Sequence, residues 1–566
     1  MSVPAEPGPT GDIDIDRPDV VVIGGGPVGL AAAVDLGVRG LNVLLVDAGD
    51  GVANYPTAES IDARTMEWLR QLGIANAVEH SGFPESYPRD ISFVTRLSGY
   101  ELARFRRPSN GGRREPTTGI SPEGPVWWPK FWFDTALRAR ALGLPNVQLR
   151  YRWRCEGISQ TEYGVTANLV RSDGTRHAAT APYLVACDGA RSSVRGGLGI
   201  TMEGSRAEAV WEGAFVEIPD LLARINLAPA VQYYTLRPRR SIFGSLNGKD
   251  LWRVTYPLEP GESQTEEEIV ATIRECIGIP DIPLVLRDGR VWAGHTVVAS
   301  AYRQGRVFLA GDAAHQMWPS GGHGMNTGIG DVHNLAWKLA AVVRGGAGEG
   351  LLDSYQAERK PVAVRNTTRA AANYHADLAL PTDPILDDPE AAGKRARQAA
   401  ARQVRETREA EWRSLGVQLG YRYEGSPIVV PDGSVEPVDE PTSYAPAARP
   451  GHRAPHVVLP DGRSTLDLFG AGFVLLHTSL APDPQPWDET FRARRIRLDI
   501  VDASQSQLAE AYPAELVLVR PDGIVAWSGK LADPDIASIV ETVLGIASRP
   551  ANETTHDAER MTSRWR

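Results

Sequence analysis

A glycine-rich turn near the amino terminus has the residue spacing that binds phosphate groups. Gly24, Gly26 and Gly29 satisfy the pattern G-x-G-x-x-G directly after the apolar run at residues 20–23. The first glycine permits a tight turn, the second lets a pyrophosphate approach backbone N–H groups, and the third allows a helix to pack closely on the strand. Asp47 ends the next apolar run, where a carboxylate can bind a ribose hydroxyl. This arrangement predicts a site for a dinucleotide.

A second acidic residue follows an apolar segment much later in the chain. Asp312 comes directly after the segment 307–311, and its carboxylate can accept a hydrogen bond from a sugar or ribityl hydroxyl at the carboxyl edge of a sheet. Gly322 and Gly324 allow the backbone to approach a flat ring. A helix is predicted from about Asn326, and its positive N-terminal end would stabilise the negative charge of a reduced flavin. A strand, turn and amphipathic helix that bind no ligand are the alternative.

A third strand-terminal acid lies between these two in the sequence. Asp188 and Gly189 follow the apolar segment 183–186, and Arg191 and Arg195 come shortly afterwards. Arginine recognises phosphate through a planar fork of N–H donors. A surface turn of solvated charges would explain this segment alone, but a series of three such segments in one chain favours a ligand-binding function.

The three motifs resemble those of the single-component FAD-dependent aromatic hydroxylases, also called group A flavoprotein monooxygenases. The resemblance covers nearly all of the first 370 residues, and it implies a noncovalently bound FAD. One departure is Lys130, which stands where relatives often have a glutamine that contacts FAD. The residues expected at the cofactor are Gly24, Gly26, Pro27, Val28, Gly29, Asp47, Ala48, Arg64, Lys130, Asp188, Gly189, Arg191, Gly311, Asp312, Pro319, Gly322, Gly324, Met325 and Asn326.

The family resemblance implies a reaction as well as a cofactor. NADPH or NADH would reduce FAD, O₂ would add at flavin C4a, and a hydroxyl group would pass to a phenolic or polyketide-type aromatic substrate. Flavoenzymes of the same fold that carry out epoxidation, Baeyer–Villiger cleavage or antibiotic inactivation remain alternatives. A flavin-dependent halogenase is less favoured because its Trp-x-Trp-x-Ile-Pro signature is absent. A non-catalytic flavin-binding protein is the remaining alternative.

Substrate contacts are expected from aromatic residues and from the segment between the second and third acidic motifs. Short alternating runs there predict antiparallel strands, and aromatic side chains could line a flat apolar pocket. The expected substrate-binding residues are Trp127, Trp252, Trp292 and Pro319.

A base that accepts the proton of a phenol would accelerate electrophilic hydroxylation. Glu59 is the leading candidate, because phenol hydroxylases place an aspartate near the substrate hydroxyl at the same offset of five residues before Arg64. His295, Tyr233 and Tyr256 are alternatives, and a surface position for Glu59 stays open.

The resemblance implies an α/β fold class with three kinds of domain. A Rossmann-like FAD-binding domain holds an inserted antiparallel β-sheet substrate domain, and a thioredoxin-like α/β domain follows. The expected segments are a disordered lead-in (1–17), the FAD-binding domain (18–200 and 301–380), the substrate domain (201–300), a helical connector and linker (381–449), the thioredoxin-like domain (450–547) and a disordered tail (548–566).

The C-terminal domain lacks the residues for thiol redox chemistry. Cys155, Cys187 and Cys276 all precede it, and their spacing is not that of a disulfide framework or a metal site, so no metal is expected. We therefore expect a structural or dimerisation role for this domain, which leaves a homodimer open. We also expect the flavin spectrum to survive its removal.

Composition limits the remaining classes of function. A net charge of −10 and a pI near 5.7 argue against nucleic-acid binding. No run of 18 apolar residues predicts a membrane span. The first 18 residues carry acids and prolines rather than a signal sequence, which indicates a cytoplasmic protein. The expected partners are a small aromatic substrate and O₂.

Overall fold

The computed structural model describes residues 17–53, 55–114, 119–477, 484–504, 506–530 and 535–546. The expected lead-in, apart from Arg17, and the expected tail lie outside these ranges. Among the helices of the described ranges, none has the length and apolar character needed to cross a bilayer.

The elements up to residue 200 include most strands of a parallel sheet, the helices and sheet that cover it, and two strands of a second large sheet. The strands are β1 (Val20–Ile23), β2 (Val43–Asp47), β3 (Ser60–Ile61), β4 (Ile91–Val94), β5 (Glu101–Phe105), β6 (Val126–Trp127), β7 (Val147–Tyr151), β8 (Trp153–Gln160), β9 (Val165–Arg171), β10 (Arg176–Ala181) and β11 (Tyr183–Ala186). The helices are α1 (Pro27–Val38), α2 (Ala63–Gln71), α3 (Lys130–Leu142) and α4 (Ser193–Gly197).

The middle of the chain is mainly antiparallel, and it returns to the parallel sheet at its end. Its strands are β12 (Met202–Ser205), β13 (Val210–Glu217), β14 (Gln232–Thr235), β15 (Ser241–Ser245), β16 (Leu251–Pro257), β17 (Val285–Ala293), β18 (Thr296–Ala299), β19 (Arg303–Gln304), β20 (Val307–Leu309) and β21 (His315–Gln316). Its helices are α5 (Leu221–Arg224) and α6 (Glu266–Ile277).

Long helices and a second α/β unit complete the chain. The helices of the third part are α7 (His323–Val343), α8 (Gly350–Leu378), α9 (Ala391–Trp412) and α10 (Leu415–Leu419). The C-terminal elements are β22 (Phe473–His477), α11 (Gln485–Ala493), β23 (Leu498–Asp502), α12 (Ser506–Ala511), β24 (Leu516–Val519), β25 (Val525–Gly529) and α13 (Ile536–Val543). Short 3₁₀ helices lie at Ala75–His80, Gly111–Arg114, Gly311–Ala313, Pro384–Asp387 and Thr465–Leu468.

The expected FAD-binding domain is built on a six-stranded sheet with the order β19-β20-β11-β1-β2-β7. The strands β20, β11, β1, β2 and β7 are parallel, and Val22 pairs with Val185 on one side and Leu45 on the other. The central strands are almost wholly apolar because one core joins them to α1, α3, α7 and the sheet β8–β10. The carboxyl ends of four neighbouring strands therefore meet at one edge, and the predicted motifs follow those ends.

The substrate domain is a seven-stranded sheet with the order β17-β13-β16-β15-β14-β4-β5. Two of its strands, β4 and β5, come from the amino-terminal part of the chain, so the sheet extends beyond the expected segment 201–300. Helix α6 packs on one face in a core with Tyr233, Trp252 and Tyr256. Helix α9 packs on the opposite face near Phe93 and Tyr234. The sheet is thus covered on both faces, and α9 reaches the side that faces the FAD-binding domain.

The C-terminal domain has a four-stranded mixed sheet of the thioredoxin-like kind, with the order β23-β22-β24-β25. Strands β22 and β23 are parallel, whereas β24 and β25 are antiparallel to their neighbours. Helices α11 and α13 pack on one face together with Trp337 and Leu351 of the FAD-binding domain. The apolar core of this domain is therefore shared with α7 and α8.

Candidate functional site

A cavity of about 360 Å³ lies between the carboxyl edge of the six-stranded sheet and the seven-stranded sheet. Its wall is formed by residues from the amino-terminal part, the middle and the third part of the chain. They are Gly26, Pro27, Val28, Thr57, Ala58, Glu59, Ser60, Asp62, Arg107, Trp127, Lys130, Cys187, Gly189, Gln232, Tyr234, Arg253, Ala310, Asp312, Met317, Trp318, Pro319, Gly321, Gly322, Gly324, Met325, Glu411, Trp412, Ser414 and Gln418.

The glycine-rich turn has room for a phosphate at one position only. A Cβ atom added at Gly26 would meet no atom within 4 Å, whereas one added at Gly24 would lie 2.2 Å from the carbonyl oxygen of Cys187. At Gly29 the added atom would lie 1.8 Å from the carbonyl oxygen of Gly24. Helix α1 begins directly after Gly26 without a side-chain cap, so its first N–H groups are free for an anion. These features fit the pyrophosphate of the predicted dinucleotide.

Asp47 braces this turn from the end of β2. Its carboxylate accepts hydrogen bonds from the backbone N–H groups of Gly25 at 2.6 Å and Gly49 at 2.7 Å. Asp47 and Ala48 are not among the residues that line the cavity. A ribose hydroxyl would have to share the carboxylate with these two backbone donors.

The two later acidic motifs lie next to each other at the same edge. Asp312 faces the cavity, and the loss of solvation next to the surrounding protein raises the pKa of its carboxyl group. One carboxylate oxygen of Asp188 accepts from the backbone N–H of Val194 at 3.2 Å, and the other is buried with no hydrogen-bond partner among the described residues. Arg195 donates to the carbonyl of Ala313 at 3.0 Å and so ties the two motifs together. Arg191 is exposed and does not line the cavity.

The start of α7 closes the cavity beside Gly311 and Asp312. Gly322 is the N-cap residue with a φ of 70°, and Gly322, Gly324 and Met325 line the wall. The side chain of Asn326 donates to the carbonyls of Ser60 at 3.0 Å and Gly322 at 2.7 Å. Asn326 thus fixes the turn before the helix rather than lining the cavity itself.

The sequence did not indicate the buried carboxylate that supports this turn. Asp331 lies farther along α7 and accepts from the backbone N–H of Gly311 at 3.2 Å and from the guanidinium of Arg359 at 2.9 Å. His315 lies 2.9 Å from the same carboxylate. Burial opposes the charge of Asp331, but His315 and Arg359 hold its pKa below the usual value. This cluster positions the segment that carries Asp312.

Arg64 is directed away from the cavity. Its guanidinium donates to Glu67 at 2.9 Å, to the carbonyl of Asp522 at 2.6 Å and to the hydroxyl of Tyr421 at 3.4 Å. The side chain therefore joins α2 to the C-terminal domain. Lys130, in contrast, lines the cavity and forms an ion pair with Asp134 one turn later in α3.

Of the expected substrate-binding residues, Trp127 and Pro319 line the cavity. Trp252 is fully buried in the core on the opposite face of the sheet. Trp292 stacks on Trp211 with ring centroids 5.7 Å apart and does not line the cavity. The polar wall on this side comes instead from Arg253, the residue after Trp252 on β16, and from Gln232 of β14.

Of the four candidate bases, the structure brings only Glu59 to the cavity wall. The hydroxyl of Tyr233 donates to the carbonyl of Ala228 at 2.8 Å, and that of Tyr256 donates to Gln264 at 2.7 Å, both on the far side of the sheet. The Nδ1 atom of His295 accepts from the backbone N–H of Ala207 at 3.0 Å. These three side chains are engaged elsewhere in the structure.

Glu59 and Arg253 form a buried ion pair in the wall. The Nε and Nη2 groups of Arg253 donate to the two carboxylate oxygens of Glu59 at 2.6 and 3.0 Å. Glu59 is 5% exposed. Because an ionised carboxylate has about four lone-pair directions, each oxygen can still accept one further hydrogen bond. The pair can therefore hold a substrate hydroxyl while both charges remain compensated.

The end of α9 and the start of α10 form a part of the wall that no motif predicted. Glu411, Trp412, Ser414 and Gln418 line the cavity there. Burial raises the pKa of Glu411 to about 7, although its ion pair with Arg408 acts in the opposite direction. The only local sequence signal was the spacing of Arg408 and Glu411, three residues apart on a predicted helix.

Comparison with known proteins gives two family matches. A family described as "FAD binding domain" matches residues 17–370, and one described as "Aromatic-ring hydroxylase, C-terminal" matches residues 447–547. The chain is 33% identical to 4-methyl-5-nitrocatechol 5-monooxygenase of a Burkholderia species, over 95% of this chain and 98% of that protein. It is 32% identical to the aklavinone 12-hydroxylase RdmE of Streptomyces purpurascens, over 93% of this chain and 98% of the relative.

Solved structures agree with these matches. RebC-10x, solved in its native form and with bound K252c, superimposes with a TM-score of 0.87 at 35% identity, covering 94% of this chain and all of that one. Aklavinone-11 hydroxylase, solved with FAD and aklavinone, gives a TM-score of 0.79 at 30% identity over 93% of this chain and 99% of that one.

Proposed function

Because this chain belongs to the FAD-dependent monooxygenase family of aromatic-ring and polyketide hydroxylases, we propose that it uses NADPH or NADH and O₂ to hydroxylate a phenolic or polyketide-type aromatic compound. The observation that carries the proposal is the single cavity that joins the phosphate-binding turn and Asp312 to the Glu59–Arg253 pair. FAD held by the phosphate-binding turn and Asp312 would present its ring to a substrate held at the Glu59–Arg253 pair.

FAD would be bound by cavity residues at the carboxyl edge of the six-stranded sheet. The N–H groups at the start of α1, beside Gly26, would hold the pyrophosphate, and Asp312 would accept from the ribityl hydroxyls. The turn before α7 would face the flavin ring. FAD, when bound, supplies hydride acceptance from NAD(P)H and activation of O₂. The chain supplies orientation, a closed pocket and hydrogen bonds.

The substrate end has one flat wall and one polar wall. Trp127 is held in place by a hydrogen bond from its Nε1 to the carbonyl of Ser245 at 2.8 Å, and its ring can cover one face of an aromatic substrate. Glu59 would accept the hydrogen bond of a phenol hydroxyl and so increase electron density on the ring. Arg253 holds the carboxylate of Glu59 in place through its two hydrogen bonds.

Substrate-stimulated oxidation of NADPH or NADH by the purified, FAD-containing protein tests this function. We expect stimulation by phenols, hydroxybenzoates or polyphenolic polyketides, with a product 16 mass units heavier than its substrate. Oxidation that no aromatic compound stimulates would support a non-catalytic flavin protein. Incorporation of a halide instead of oxygen would support a halogenase.

Replacing Asp312 by alanine should weaken FAD binding about 10- to 150-fold, because the ribityl hydroxyls lose a charged acceptor that contributes ~1.5–3 kcal/mol. The dissociation constant of FAD can be measured by the change in flavin fluorescence on binding. Asp173→Ala, at an exposed turn far from the cavity motifs, is the control and should bind FAD as the parent does. Equal affinity in Asp312→Ala and the parent would contradict the assignment.

Alanine at Gly26 and at Gly29 should give different defects. Gly29→Ala forces a methyl group into the backbone of the turn, and we expect a loss of stability of about 1–3 kcal/mol or more. Gly26→Ala meets open space in the protein, so its stability should stay within about 0.5 kcal/mol, while FAD binding weakens. Thermal unfolding without FAD and titration with FAD separate the two effects. A Gly26→Ala protein with full FAD affinity would rule out a pyrophosphate at this position.

A further inference from the structure

Arg107 lies in the cavity wall, and its guanidinium has no carboxylate partner among the described residues. It follows strand β5, and its backbone N–H donates to Asp90 at 3.1 Å. The other carboxylate oxygen of Asp90 is taken by Arg104 at 3.1 Å. Within the described ranges, no Asp or Glu side chain forms an ion pair with the guanidinium of Arg107, although the residue lines the cavity. Its N–H donors are therefore available to a ligand.

A second arginine increases the positive charge at this position. Arg89 is 2% exposed, and its Nε donates to the carbonyl of Pro108 at 2.5 Å. Burial lowers the pKa of Arg89, and the neighbouring charge of Arg107 lowers it further. Burial also lowers the pKa of Arg107 to about 10, although Asp90 and Glu411 oppose this change. Guanidinium groups stay protonated in proteins, and charges that lie away from water are normally paired.

The acids around this position are already occupied by other partners. Glu411 pairs with Arg408, and Glu59 accepts both of its ion-pair hydrogen bonds from Arg253. The wall at Arg107 is thus left with an excess of positive charge, next to the residues that form the substrate end of the cavity. An anionic ligand would compensate this charge, whereas a neutral ligand would leave it unpaired.

We propose that Arg107 binds a carboxylate on the substrate, so that the preferred substrates are aromatic acids rather than neutral phenols. The planar fork of a guanidinium matches the two oxygens of a carboxylate. The inference rests on the proposed function, because it assigns the charge of the substrate for the same cavity. Arg107 determines specificity and holds the substrate at a group other than the reacting carbon.

Binding to the oxidised, FAD-loaded protein tests the assignment without turnover. The probes are 4-hydroxybenzoate and 3-hydroxy-2-naphthoate, each compared with its uncharged amide, and the readout is the change in flavin absorbance on titration. We expect each acid to bind about 10-fold or more tightly than its amide, since hydrogen bonds between charged groups are the stronger ones. In Arg107→Gln this ratio should fall to about one while the affinity for the amides stays unchanged.

Two further variants control for folding and for net charge. Arg107→Lys keeps the charge without the fork and should retain part of the preference for the acid. Arg106→Gln removes the same charge from the exposed neighbouring position and should keep the full preference. Acids that bind no more tightly than their amides in the parent, including the case in which neither binds, would overturn the assignment, as would an unchanged ratio in Arg107→Gln.

The phosphates of the nicotinamide dinucleotide are the other anionic group that could reach this cavity. Weaker binding of ADP-ribose to Arg107→Gln, with an unchanged ratio of acid to amide, would assign Arg107 to that ligand and overturn the proposal. The carboxylate assignment and the proposed hydroxylation can also fail independently. An acid preference that depends on Arg107 without any hydroxylated product would contradict the hydroxylation alone, whereas hydroxylation without that preference would contradict this inference alone.

Discussion

Glu59→Gln is expected to slow hydroxylation of a phenolic substrate by about 10²- to 10⁴-fold, which is the usual size of a general-base contribution. Glutamine preserves the shape of the side chain but removes the negative charge that accepts the phenol hydrogen bond. It also removes the partner of Arg253, which donates to both oxygens of Glu59. FAD affinity should not change, because Glu59 lies at the substrate end of the cavity.

The measurement is the rate of product formation in a single turnover of the reduced protein with O₂. A loss of structure can be distinguished from a loss of the acceptor by comparing phenol with 4-nitrophenol, which ionises more readily. The deficit of Glu59→Gln relative to the parent should shrink for the more acidic phenol, since that phenol loses its proton with less help from an acceptor. Glu212→Gln is the control, because Glu212 is a buried glutamate of the seven-stranded sheet that does not line the cavity. A Glu59→Gln protein with full product yield and an unchanged pH profile would exclude this role.

Glu358→Ala should lower the apparent free energy of unfolding by about 3–5 kcal/mol, because it leaves buried cations without their counter-charge. Glu358 on α8 accepts from Arg520 of the C-terminal domain at 2.6 and 3.0 Å and from Lys338 of α7 at 2.7 Å. It also accepts from Asn334 and Ser426, both at 2.6 Å. Burial opposes its charge, but Arg520 and Lys338 hold the pKa of Glu358 well below its usual value.

Urea-induced unfolding followed by far-UV circular dichroism would measure this loss. Asp461→Ala, which removes an exposed partner of Arg463 in the same domain, should change stability by less than about 0.5 kcal/mol. A Glu358→Ala protein as stable as the parent would show that the network adds nothing beyond the packing around it.

The same network changes the expectation for a truncated chain. Arg453 of the C-terminal domain pairs with Glu67 of α2, and Arg520 pairs with Glu358. Trp337 and Leu351 pack in the core of that domain. Removal of residues from about 450 would therefore expose apolar surface on α7 and α8 and would leave buried carboxylates short of partners. We now expect the truncated protein to lose stability and FAD together, in contrast to the separable module that the sequence suggested.

The sequence alone was sufficient to predict the carboxyl edge of the six-stranded sheet, because each of its motifs is local. A short apolar strand, a glycine turn and an amphipathic helix are each specified mainly by neighbouring residues, and parallel strands bring their carboxyl ends to one edge. Gly26, Gly189 and Asp312 consequently lie in one cavity although they are far apart in the chain. The α/β class and the family follow from the same motifs.

The tertiary structure decided which neighbouring residues of the substrate sheet face the cavity. Both faces of this sheet are covered, so apolar residues occur on each, and alternation in the sequence does not distinguish the two sides. Tyr234 and Arg253 face the cavity, whereas Tyr233 and Trp252 face α6. On both β14 and β16, a residue that faces the cavity is thus directly adjacent in sequence to a residue in the core.

Long-range packing decided the remaining contacts. Arg64 faces the C-terminal domain because its partners, Tyr421 and the carbonyl of Asp522, lie more than 350 residues later. Glu411 and Gln418 reach the cavity because α9 crosses the seven-stranded sheet. Such contacts depend on how whole elements dock, and burial of their shared apolar surface, rather than any local spacing of residues, fixes that arrangement.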